Sequence, residues 1–223
     1  MLEKAKFSRP LLKWFRTDGR DFPWRHTVDP YQVLLAEKLL QQTSVRKVLI
    51  DLYLYLIEKY PTPNHLAVAD IQELADMIHP LGLHYRARDL VLMAKDIKEK
   101  FDGRVPDNLS SLLSIYGVGD YSARAVLSFA YGRDIAVVDT NVARILYRVF
   151  AIPGKFPQNP ARNRKLLEIA SALVRRKQSK EFNWAMIDLG ALICLPSKPL
   201  CFKCPLNKIC EFNLENERRA KLT

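Results

Sequence analysis

Apolar residues recur along most of this chain at three- and four-residue intervals, the spacing that lines one face of an α-helix. After Asp29-Pro30 an apolar helix is expected over 31–42. A second is expected over 45–60, stopped by Pro61 and Pro63. Asp70 should cap I-Q-E-L-A-D-M-I, a long amphipathic helix should cover 86–101, and Asp107 should cap N-L-S-S-L-L-S-I. Further helical patterns fall at 121–131, 140–150, 161–177 and 183–192. Only I-A-V-V at 135–138 reads as a strand, and it is too short and isolated to make a sheet. The expected fold class is all-α.

Between two of these helices lies G-V-G-D-Y-S-A-R-A-V, residues 117–126, with Tyr121 two places after the second glycine. A dinucleotide-binding glycine loop follows a strand in a βαβ unit, whereas Gly117 and Gly119 follow a helix. The G-x-x-x-x-G-K-[ST] pattern of a phosphate-cradling loop is missing. What remains is a helix–hairpin–helix, its glycines allowing close backbone approach and its amides aimed at a phosphate. Taken alone, the same two glycines would also suit a plain tight turn.

Composition adds a partner. The chain's 223 residues make one compact domain or two small interlocked ones, and 48% hydrophobic with 26% charged residues describes an ordinary soluble globular protein. No apolar run approaches the roughly 18 residues of a membrane span. The N-terminus M-L-E-K-A-K-F-S-R-P lacks an apolar signal segment, so a cytoplasmic location is expected. A net charge of +11 points to a polyanion. The charges are dispersed, with clusters such as Arg162/Arg164/Lys165 and Arg175/Arg176/Lys177, and suit a folded surface that meets nucleic acid.

All four cysteines stand in C-L-P-S-K-P-L-C-F-K-C-P-L-N-K-I-C as Cys194, Cys201, Cys204 and Cys210, spaced C-x6-C-x2-C-x5-C. Disulfides are not expected in an unexported protein. Zinc ribbons usually present two C-x2-C knuckles and this stretch has one, so a [4Fe–4S] cluster on four thiolates fits better than zinc.

Three features together carry a resemblance: this cysteine spacing, the hairpin, and V-D-T-N about twenty residues after it. They resemble the helix–hairpin–helix DNA glycosylases with an iron–sulfur cluster, which include endonuclease III, the MutY adenine glycosylases and the thermophilic G/T mismatch glycosylases. The likeness runs from R-D-F-P-W-R (20–25) to Cys210; L-A-E-K-L-L-Q-Q-T (35–43) and F-N-W-A-M-I-D-L-G-A-L-I-C (182–194) are similar to the MutY and mismatch branch. Tyr116 departs from the family, which usually has proline there. The resemblance implies a two-domain fold: a central helical domain over 25–136 with the hairpin, and 1–24 packed with 137–223 as the cluster domain, its loop at 194–210. The catalytic cleft is expected between them.

The resemblance also assigns roles. Asp139 opens a helix and reads as its N-cap; the family places its essential aspartate here, beside the sugar carbon that becomes positively charged as the base leaves. Glu37 would alone be an exposed helix charge, but it matches the acid that protonates the departing base. Tyr121 stands where bifunctional relatives carry a lysine, whose amine attacks the sugar and permits strand cleavage. Tyrosine has no amine, so the implied activity stops at base removal. Asn141 resembles the asparagine that bonds near the catalytic carboxylate. Gln42 and Leu83 match loops that fill the gap left by the flipped base; core packing is the other reading of Leu83. Gly117 and Gly119 form the DNA-gripping hairpin.

The expected partner is double-stranded DNA with a mismatched or damaged base, bound by a monomer associated with the nucleoid. The base is expected to be thymine or uracil opposite guanine, because adenine glycosylases usually continue into a domain that reads 8-oxoguanine and this chain ends 13 residues after Cys210. Adenine is the competing substrate. A non-catalytic DNA-binding module is the rival from another class, disfavoured by retention of both carboxylates.

Overall fold

The computed structural model describes residues 4–41, 47–82 and 84–220, and among them every regular element is helical. In chain order these are α1 (Lys4–Asp18), α2 (Pro30–Leu40), α3 (Lys47–Lys59), α4 (Pro63–Leu66), α5 (Ile71–Ile78), α6 (Ala87–Phe101), α7 (Leu109–Leu113), α8 (Asp120–Phe129), α9 (Thr140–Phe150), α10 (Arg164–Leu173), α11 (Ser179–Leu192) and α12 (Glu211–Ala220). Short 3-10 turns intervene, two of them inside the cysteine loop at Cys201–Lys203 and Asn207–Ile209.

Caps set the boundaries. Asp29 accepts from the Tyr31 N–H at 2.8 Å and Asp70 from the Glu73 N–H at 2.8 Å. The expected cap at Asp107 moves by one residue: Asn108 Oδ1 accepts from the Ser111 N–H at 2.9 Å. Asp and Asn cap equally well, so adjacent candidates are separated only by the backbone geometry. The expected helix over 161–177 is shorter, because Pro160–Arg162 forms its own 3-10 turn and Asn163 restarts the chain as the cap of α10. Its neighbour α11 starts at Ser179, earlier than the periodicity suggested.

The chain divides into two compact units, Asp21–Tyr131 and Met1–Arg20 with Gly132–Thr223. The first contains α2 to α8. Its α2 is buried nearly all round and packs against α3 and α8, while α6 packs against α4 and α5. Tyr31 ties the start of α2 to the end of α3 by donating to the Tyr60 carbonyl at 2.9 Å. The second unit centres on α9 and α11, with α1, α10 and α12 packed around them over Phe7, Leu11, Leu146, Phe182 and Leu189.

In that second unit I-A-V-V forms no sheet. Ala136, Val137 and Val138 are buried in a run that belongs to no helix. The buried Asn183 side chain from α11 satisfies it: Oδ1 accepts from the Val137 N–H at 3.1 Å and Nδ2 donates to the Ile135 carbonyl at 2.9 Å. One amide side chain thus supplies both bonds that a neighbouring strand would offer.

Candidate active site

In the unit Asp21–Tyr131, the hairpin between α7 and α8 needs a glycine's freedom at one of its two glycines. Gly117 sits at φ +69°, in the left-handed region. Gly119 is the N-cap of α8, and its carbonyl accepts the helix's first bond from Ala123 at 2.9 Å. The first-turn amides of α8 have no acceptor within the helix and carry the positive end of its dipole, an arrangement suited to an anion. Tyr116, the departure from proline, uses the N–H that proline lacks: it donates to Asp96 Oδ2 at 2.8 Å, while the phenol donates to Asp89 Oδ1 at 3.1 Å.

Glu37 on α2 is only 6% exposed, where the sequence alone suggested an exposed helix charge. Tyr121 is half-buried in the first turn of α8, the helix packed on α2. The structure therefore places Glu37 on α2, Tyr121 on the contacting α8, and Gly117 and Gly119 in the hairpin that leads into α8, all within one unit. Gln42 and Leu83 lie outside the described residues.

The other unit holds Asp139, the half-buried N-cap of α9. Its Oδ1 accepts from the Val142 N–H at 2.7 Å and its Oδ2 from Asn141 Nδ2 at 2.9 Å. Burial pushes its carboxyl above the ordinary range, against the opposing pull of these bonds and of the nearby Arg144. Asn141 is held in turn: Arg144 donates to Asn141 Oδ1 at 2.8 Å, to the Gly190 carbonyl at 2.8 Å and to the Cys194 carbonyl at 2.8 Å. Helix α11 comes so close here that a Cβ on Gly190 would lie 2.6 Å from Asn141 Cβ.

Arg144 and Asn183 were not singled out from the sequence. Arg144 is visible only as a basic residue one turn after Asn141, and Asn183 as a polar residue inside an apolar helix. Either position becomes informative once its neighbour in space is known. Lys38, 7% exposed beside Glu37, belongs to the same class.

The four cysteines line one pocket with Arg148, Pro199, Asn207 and Phe212, enclosing about 290 Å³ with its open mouth included. Burial first, and then the neighbouring cysteines, push the Cys204 thiol up to about 12. Arg148 donates to Cys194 Sγ at 3.2 Å and to the Leu195 carbonyl at 2.7 Å, and its guanidinium lies over the Phe212 ring. Among the described residues no three His, Cys, Asp or Glu side chains converge on a point suited to a single metal ion. Lys198, Lys203 and Lys208 of this loop are exposed. Among the described residues no helix is long and apolar enough to cross a membrane.

Residues 35–172 match the HhH-GPD superfamily base excision DNA repair protein family. The chain is 37% identical to a thymine/uracil-DNA glycosylase of Pyrobaculum aerophilum over 97% of its own length and 96% of the relative's. It is 36% identical to the human adenine DNA glycosylase over 99% of its own length, which is 42% of that protein. Among solved structures, a thermostable thymine-DNA glycosylase superposes with a TM-score of 0.87 at 35% identity, covering 95% of this chain and 97% of the other.

Proposed function

Because the chain belongs to the HhH-GPD superfamily of base excision DNA repair proteins, we propose that it is a monofunctional mismatch DNA glycosylase that excises thymine or uracil opposite guanine. It acts as a monomer on double-stranded DNA, extruding the target base before cutting its N-glycosidic bond. The observation that carries this reading is the setting of Asp139. Both of its oxygens are fixed by neutral donors, Val142 N–H and Asn141 Nδ2, so its charge is oriented without being cancelled by a bonded cation. A carboxylate so held stabilises the positive charge that develops on the sugar as the base departs.

In this reading Asn141 positions Asp139, and Glu37 delivers a proton or hydrogen bond to the leaving base from its buried place on α2. Tyr121 stands at the sugar without an amine, so the product is an intact abasic site. The hairpin at Gly117 and Gly119 grips a backbone phosphate with its amides. Gln42 and Leu83 fill the space the flipped base leaves.

The cysteine pocket fits a [4Fe–4S] cluster held by Cys194, Cys201, Cys204 and Cys210. All four cysteines line one cavity, and four thiolates are the donor set that such a cluster takes. When bound, the cluster supplies structural organisation, ordering the loop that presents Lys198, Lys203 and Lys208 to phosphates.

Asp139→Asn tests the assignment. The amide oxygen can still cap α9, so mismatched duplex should bind within about threefold of wild type while base release falls by roughly 10³ or more. Equal losses of binding and turnover would reduce Asp139 to a capping residue.

A further inference from the structure

Lys38 is a buried cation that the reading above leaves without a task. It projects from α2, one residue after Glu37, and is 7% exposed. Its ammonium donates to the Gly117 carbonyl at 2.8 Å and to Gln41 Oε1 at 3.3 Å. Gln41 passes the connection on, donating from Nε2 to Ser122 Oγ at 3.1 Å in the first turn of α8. Arg86, just before α6, closes the other side by donating to the carbonyls of Lys38 and Gln41 at the end of α2. Four elements therefore meet through polar bonds at one point: the end of α2, the hairpin, the first turn of α8 and the start of α6.

The bond to Gly117 has a geometrical consequence. Gly117 is the residue at φ +69°, and the peptide it shares with Val118 is held from both sides: the Val118 N–H donates to the Ile115 carbonyl at 3.1 Å and Lys38 holds the Gly117 oxygen. Lys38 therefore braces the turn that leads into α8, whose first-turn amides have no acceptor within the helix. The ammonium also places a positive charge behind the hairpin, in a buried setting where water screens it less than at the surface. Burial lowers the lysine's pKa, opposed by Asp89 and assisted by Arg86. A desolvated cation is costly unless it is bonded, and this one is bonded to the hairpin backbone.

Resting on the glycosylase reading, we propose that Lys38 is the positioning residue of the phosphate grip, fixing the Gly117 peptide and backing the hairpin's amides with a buried positive charge. It does not touch the reacting atoms, and it does not touch the phosphate. Its effect belongs to DNA affinity, common to damaged and undamaged duplex, and not to the chemical step.

Lys38→Met keeps the length of the side chain and removes the charge and the donors. The dissociation constants for undamaged and for U·G duplex should both rise about tenfold, the size expected for losing one charge-assisted hydrogen bond. The single-turnover rate of base release at saturating duplex should stay within about threefold of wild type. The slope of log affinity against log salt should be unchanged, because no phosphate contact of Lys38 itself is lost. Lys38→Arg should restore wild-type affinity, since a pocket of about 40 Å³ beside Lys38 leaves room for the larger head group. If Lys38→Met does not fold, Lys38→Gln replaces it: it keeps a donor for Gly117 but no charge, and should bind more weakly than Lys38→Arg. A fall in release rate at unchanged affinity overturns the proposal, as does wild-type affinity in the Met or Gln variant. Wild-type protein that binds duplex but releases no base would instead strike at the glycosylase reading, leaving the affinity comparison intact.

Discussion

Replacing Arg144 by methionine should damage stability and chemistry together, because Arg144 acts through Asn141. Its guanidinium makes three bonds, to the Asn141 side chain and to the carbonyls of Gly190 and Cys194. Bonds from a charged donor are each worth about 1.5–3 kcal/mol, but the site is half-buried and water reclaims part of that. A net loss of roughly 3 kcal/mol follows, and at about 2–4 °C per kcal/mol for a chain of this size the thermal midpoint should fall by around 6–12 °C. Two further effects reach Asp139. Asn141 loses the bond that orients its amide, and the carboxyl loses a neighbour that holds its pKa down. A carboxylate misplaced by a fraction of an ångström and more easily protonated should slow base release by on the order of tenfold to a hundredfold. The assay is thermal unfolding followed by single-turnover base release well below both midpoints. Arg144→Lys should fall between the two, because an ammonium keeps the charge without the fork that reaches three acceptors. A midpoint within about 2 °C of wild type, with an unchanged release rate, would refute the argument that this residue links α9 to α11 and to the cysteine loop.

Other consequences are equally direct. Purified protein kept from oxidants should be brown with about four irons per chain, and each Cys→Ser change should give less soluble protein; colourless protein containing zinc would overturn the cluster. Wild type should leave abasic sites intact and form no borohydride-trapped complex, whereas Tyr121→Lys should gain strand cleavage; efficient trapping by wild type would show that another amine serves. Because burial raises the pKa of Asp139 and the carboxylate is the acting form, base release should climb as pH rises through that raised value. The stability sign is opposite: a raised folded pKa favours the neutral form, so this stabilisation is complete below the unfolded value of about 3.9 and is lost as pH rises through the folded one. Melting curves of wild type should therefore fall relative to Asp139→Asn over that window, and parallel curves would contradict the shift.

Much of this was legible in the sequence because it depends on neighbours along the chain. Helical periodicity, the caps at Asp70 and Asp139, and the glycine hairpin are all local, and they stand close to where the pattern placed them. Glu37 was not legible alone, since a charge inside an apolar helix is ambiguous until α8 is packed across it. Arg144, Asn183 and Lys38 share a different obstacle. Each acts on backbone carbonyls or amides distant in sequence, and backbone groups carry no residue-specific signal. The strand-like run at 135–138 shows the point: its character is real, but its partner is one side chain, Asn183, 46 residues from Val137.

The central claim concerns which base is removed, and one single-turnover comparison addresses it. Short duplexes carrying T·G, U·G, A·G and A·8-oxoguanine should be incubated with excess protein and scored for breaks after alkali. The account predicts that T·G and U·G are processed fastest, since a wobble-paired base is easier to extrude than a matched one. It also predicts that Glu37→Gln slows any adenine release far more than pyrimidine release, because thymine and uracil leave as anions that hydrogen bonds stabilise. Preferred cleavage at A·8-oxoguanine, with T·G and U·G untouched, would contradict the account and make the chain an adenine glycosylase.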